Sequence, residues 1–105
     1  MTPELRASRR QERRLANRTG GRVSQGSGNV WHRKGDVRTP GELYEAKWTG
    51  KKQVTVKAEV LEKVHREAVA EGRVPVLGIE LNGRHYVVLG EDDYLEWRDV
   101  VSATG

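Results

Sequence analysis

Apolar positions recur at helical spacing in two stretches of the chain and alternate with polar ones between and beyond them. From Pro3 to Arg18 the stripe is Leu5, Ser8, Glu12, Leu15, Ala16 and Thr19. Thr2-Pro3-Glu4 gives this helix an N-cap, a proline at its first position and a first-turn acid, and Gly20-Gly21 gives it a stop. Arg22–Gln25 predicts a short strand, and Gly26–Asn29 has the composition of a loop. Asp36–Arg38 and Glu42–Trp48 predict two strands joined by the turn Thr39-Pro40-Gly41. Val60, Leu61, Val64 and Ala68 mark one face of a second helix over Lys57–Glu71, with Gly72 as its stop. Val74–Leu81 and Arg84–Leu89 flank Asn82-Gly83, the dipeptide that favours a two-residue hairpin. Glu91–Arg98 predicts a short acidic helix whose Tyr94 and Trp97 cover apolar surface. The order α, β, β, β, α, β, β predicts an α/β domain built on a small mixed sheet flanked by helices.

At 105 residues the expectation is one domain over 1–105, with any site built on the fold itself. The absence of cysteine excludes disulfides, thiolate catalysis and cysteine-type zinc sites. No stretch approaches the roughly 18 apolar residues of a membrane span, and no apolar run follows the Arg-rich start as in a signal peptide. The expected setting is the cytoplasm, with no membrane partner.

Charge changes this picture more than composition does. Residues 1–38 carry ten Lys or Arg against three acids, a balance of +7, while residues 39–105 carry nine against twelve, a balance of −3. Nine of the thirteen arginines lie before Thr39, and arginine suits bidentate phosphate contact. Nucleic acid is therefore the leading partner class, and 1–38 reads as a DNA-binding part. Within the first helix Arg6, Arg10, Arg14 and Arg18 form an i, i+4 ridge, with Arg9 and Arg13 beside it. Like charges so spaced cost a few tenths of a kcal/mol per pair unless an anion offsets them. Glu12, on the inward stripe, is out of place in a purely structural helix, because burying an unpaired carboxylate is costly.

Strand alternation in Glu42–Trp48 puts Leu43, Glu45 and Lys47 on one face and Tyr44, Ala46 and Trp48 on the other. The second face can pack a core, so the first presents a carboxylate and an ammonium. Asp36 lies nine residues before Glu45, and the intervening turn would set the two side by side. Paired carboxylates repel unless a divalent cation or a proton separates them, and an oxygen ligand set favours Mg²⁺ or Mn²⁺. A lysine there can orient water or stabilise charge growing on a phosphate. Glu45-Ala46-Lys47 alone also fits a solvated strand face with an i, i+2 ion pair; its context favours chemistry.

Gly35-Asp36, Glu45-Ala46-Lys47 and Glu12 within Gln-Glu-Arg-Arg-Leu resemble the PD-(D/E)XK nuclease superfamily, specifically its small Holliday-junction-resolvase branch of archaea and phages. The Gly-Ser-Gly loop before Asp36, Thr49 after Lys47, and the helix leading into Arg73-Val-Pro-Val-Leu77 support it, and the likeness runs from about Glu4 to Leu89. One departure is Gly35 where the motif has proline. The resemblance implies a restriction-endonuclease-like αβββαβ core and a Mg²⁺-dependent endonuclease acting on branched or four-way-junction DNA, with Mn²⁺ able to substitute. It implies Asp36, Glu45 and the Ala46 backbone carbonyl as metal ligands, with Glu12 completing the acidic site. Lys47 would serve the attacking water, and Ser27 would lie in a DNA-contacting loop. A homodimer is implied too, since paired cuts suit two-fold sites, with 91–105 as a cap or dimer segment through Tyr94, Trp97 and Val100.

Arg33, Lys34, Thr49, Lys51 and Lys52 read as further phosphate contacts. Trp31 reads as a base-stacking group or a loop anchor, and His32 as a phosphate or solvent contact more than a metal ligand. His65 and His85 lack convergent partners and read as structural. The competing functions are a nicking or general structure-selective nuclease and, in another class, a non-catalytic nucleic-acid-binding module that uses the arginine ridge alone.

Overall fold

A computed structural model of the chain describes residues 3–23, 36–48 and 51–104. The elements are α1 (Pro3–Thr19), β1 (Arg22–Val23), β2 (Asp36–Arg38), β3 (Glu42–Trp48), α2 (Ala58–Ala70), β4 (Val74–Leu81), β5 (Arg84–Val88) and α3 (Glu91–Thr104). The protein is α/β, with one five-stranded mixed sheet in the order β1-β2-β3-β4-β5. β3 and β4 run parallel and the other three pairings are antiparallel. A parallel pair needs a crossover, and α2 supplies it. Among the described residues no helix is long and apolar enough to cross a membrane.

Turn chemistry sets the register. Thr39 Oγ1 accepts hydrogen bonds from the backbone N–H groups of Gly41 (3.3 Å) and Glu42 (2.9 Å), and Thr39 N–H donates to the Glu42 carbonyl. This tight reversal pairs Arg38 with Leu43, Val37 with Tyr44 and Asp36 with Glu45. At the other hairpin Asn82 (φ 50°) and Gly83 (φ 77°) both adopt the left-handed conformation that a two-residue type I′ turn requires.

The two sheet faces have different covers. Leu15 and Ala16 of α1 pack on Val37, with Val23, Tyr44 and Ala46 around them. By strand alternation, Asp36, Arg38, Leu43, Glu45 and Lys47 face the other way, toward α2, which buries Val64 and Ala68. Arg38 clamps the end of that helix: its Nε and Nη2 each donate to Glu71 at 2.8 Å. Arg73 adds a bond from Nε to the Thr39 carbonyl at 2.9 Å. The α2 crossover is thereby fastened to the β2–β3 turn.

Several elements differ from the sequence reading. α3 runs to Thr104, six residues past the expected end at Arg98, because Asp99–Thr104 contains no breaker. Its Tyr94 and Trp97 line a hollow of about 580 Å³ with Tyr44, Val76 and Val87, yet remain 45% and 60% exposed, and α3 rests only lightly on the sheet. The described part of the first strand is Arg22–Val23; Ser24 and Gln25 lie outside the described residues, as does the Gly26–Asn29 loop. On α1 the buried set is Ala7, Gln11, Glu12, Leu15 and Ala16, wider than the expected stripe on the Ala7–Gln11 side. The arginine row is corrected as well. Successive i, i+4 positions drift by about 40° around a helix. Arg6, Arg10 and Arg18 are exposed, whereas Arg14 is half-buried toward the sheet.

Candidate metal centre and nucleic-acid face

Asp36 begins β2 and Glu45 lies at the middle of β3, directly opposite in an antiparallel pair. Their side chains project from the same face and share a hydrogen bond. Asp36 is 5% exposed. Burial first, then the charges of Glu45 and Glu67, push its carboxyl up to about 7, against a smaller opposing pull from Arg38 and Lys63. Glu45 is also raised, chiefly by burial and by Glu67, while Lys63, the Asp36 bond and Lys47 act against the rise. The protonated carboxyl of Asp36 is thus the donor to Glu45. Lys47 follows on the same face, and Arg38 Nη1 lies 3.9 Å from Asp36.

Two carboxyl groups held together and short of solvation fit a hard divalent cation, which would replace the shared proton and remove the repulsion between them. Both supply oxygen donors. Glu12 does not join them. It is buried, but on α1, the helix packed against the opposite face, and it is not among the charges that shift Asp36 and Glu45. Among the described residues no three carboxylate, histidine or cysteine side chains gather to hold a metal. The periodicity that marked Glu12 as inward-facing was right about its burial but carried no information on which face α1 would cover.

Lys63 and Glu67 of α2 are the residues that sequence reasoning missed. They sit one turn apart, beside the buried pair Val64 and Ala68, and the Arg38–Glu71 clamp one turn further on fixes them over β2 and β3. The available signal was the polar row at 63, 67 and 71 flanking the apolar stripe, which solvent exposure would have explained equally well.

Of the basic residues expected to meet phosphate, Arg6, Arg9, Arg10, Arg13 and Arg18 are exposed along α1, and Lys51 and Lys52 are exposed after β3. Ser27, Trp31, His32, Arg33, Lys34, Gly35 and Thr49 lie outside the described residues. His65 and His85 are exposed, so neither supports the core. Comparison with protein-family models, curated proteins and solved structures finds no match to this chain.

Proposed function

We propose that the chain is a Mg²⁺-dependent endonuclease that hydrolyses phosphodiester bonds in branched DNA, with the Holliday junction as its substrate. Its sheet and helices are then the restriction-endonuclease-like core of a PD-(D/E)XK nuclease. The observation that carries this reading is the hydrogen-bonded pair of buried Asp36 and half-buried Glu45, with Lys47 two residues further along the same strand face.

In this mechanism Asp36 and Glu45, with the Ala46 carbonyl, hold the cation. Mg²⁺, or Mn²⁺ in its place, supplies charge neutralisation at the scissile phosphate. Lys47 orients the attacking water and stabilises the charge that develops during in-line displacement. The exposed arginines of α1, together with Lys51 and Lys52, hold neighbouring phosphates. Two copies act as a homodimer, placing two sites on a symmetric junction, with Tyr94, Trp97 and Val100 of α3 as the contact surface.

One observation favours the binding-only module: among the described residues no third side chain gathers with Asp36 and Glu45 to hold a metal ion, although the charge of Glu67 reaches both. Incubation with a synthetic four-way junction and Mg²⁺ separates the readings. The nuclease reading expects paired, symmetric cuts with little cutting of linear duplex, and a loss on the order of 100-fold or more in Asp36→Ala and Lys47→Ala. Scattered single-strand cuts would indicate a nicking or general structure-selective nuclease. Absence of cleavage, or full activity in either variant, contradicts the proposal.

A further inference from the structure

A second polar site lies on the other face of the sheet, between α1 and the β4–β5 hairpin. The cleft has a volume of about 310 Å³, and Gln11, Arg14, Arg18, Tyr44, Gly78 and His85 line it. Gln11 is only 3% exposed. Its Nε2 donates to the Gly78 carbonyl at 3.4 Å, while its Oε1 is buried and accepts no hydrogen bond among the described residues. One turn further along α1, the Nε–H of Arg14 is likewise buried and donates none among the described residues. An unsatisfied acceptor and an unsatisfied donor therefore stand on adjacent turns of one helix, on two residues that line one cleft. Groups left this way are costly, so a ligand that satisfies both binds with that advantage.

Charge narrows the ligand class. Burial and the neighbouring Arg18 hold the Arg14 guanidinium below its ordinary basicity, while Glu80 on β4 acts in the opposite direction. An anion is favoured beside exposed Arg18, while the charge of Glu80 disfavours one beside Arg14. The unsatisfied pair of Gln11 and Arg14 calls instead for a neutral edge carrying one donor and one acceptor, as nucleobases do. The volume sits at the small end of ligand pockets and suits one nucleotide unit. Tyr44 and His85 provide flat ring surfaces on the same sheet face.

We propose that this cleft binds a single nucleotide, its base edge meeting Gln11 Oε1 and Arg14 Nε and its phosphate meeting Arg18. The nucleotide is either free or an unpaired unit of a nucleic-acid strand; the second source rests on the DNA reading above. Titration calorimetry of the full chain tests this with deoxynucleoside monophosphates, inorganic phosphate and a short single-stranded oligonucleotide. A monophosphate is expected to bind at least tenfold tighter than phosphate. Gln11→Met, which keeps the volume and removes the amide, should weaken the nucleotide about tenfold and leave phosphate unchanged. Arg14→Lys, which keeps the charge and removes Nε, should do the same and serves in its place should Gln11→Met fail to fold. Arg18→Gln should weaken both ligands. Asp36→Asn should change neither, which separates this cleft from the carboxylate pair and its failure from failure of the nuclease reading. An oligonucleotide tighter than the monophosphate assigns the site to a strand, and equal affinities assign it to free nucleotide. A nucleotide that binds no better than phosphate, or equally well to the Gln11 and Arg14 variants, overturns the proposal.

Discussion

Asp36 keeps its proton to unusually high pH because folding removes it from water and sets it against Glu45. Its carboxyl rises from 3.8 to about 7. The folded state therefore binds this proton more tightly than the unfolded chain, and the resulting stability is fully present below about pH 4 and is lost as pH rises through about 7. The loss is up to about 4 kcal/mol, at 1.36 kcal/mol per unit. Asp36→Asn has no proton to release, so thermal melts should show its Tm gaining on the wild type between pH 4 and pH 8; parallel curves contradict the account. Much of this pairing was legible in the sequence. Alternation along Leu43–Trp48 assigned the faces, and the Thr39-Pro40-Gly41 turn set the distance. The influence of Lys63 and Glu67 was not legible, because it depends on which face the crossover helix covers, a tertiary choice that strand periodicity does not encode.

The elements meet at close contacts that composition only hints at. Gly20-Gly21 was readable as a helix stop, but Gly21 has a second duty. A Cβ built on it would lie 2.6 Å from the Arg38 carbonyl oxygen and 3.0 Å from side-chain carbons of Val37 and Thr39. Backbone against backbone cannot give way cheaply, so Gly21→Ala should destabilise by about 2 kcal/mol or more in urea unfolding. Gly20→Ala provides the contrast: no heavy atom lies within 4 Å of its Cβ, and only the positive φ of 74° opposes it, at roughly 1 kcal/mol. The strand pairing β1–β2 follows from this approach, and neither Arg22 nor Val23 announces it. The arginine row of α1 shows the converse. Its spacing was evident, yet helical drift turns Arg14 toward the sheet, where it joins Gln11 at the second cleft. α3 was underestimated in length because its acidic first turn is a clearer signal than its breaker-free end.

At the scale of the whole molecule the net charge of +4 hides a division of labour. The basic helix covers one face of the sheet and the carboxylate pair lies on the other. Glu12, expected to bridge the two, stays with the helix. The functions should then separate by mutation. Arg10→Gln and Arg13→Gln should each weaken DNA binding and reduce its salt dependence by about one counterion while leaving cation affinity intact. The claim on which the nuclease reading depends is that Asp36 and Glu45 bind a divalent metal. Its most direct test is a calorimetric Mn²⁺ titration of the wild type beside Asp36→Asn, with Arg10→Gln as the control. Mn²⁺ binding is expected in the wild type and in Arg10→Gln, and its loss in Asp36→Asn. Equal binding in Asp36→Asn, or none in any of the three, would contradict the claim.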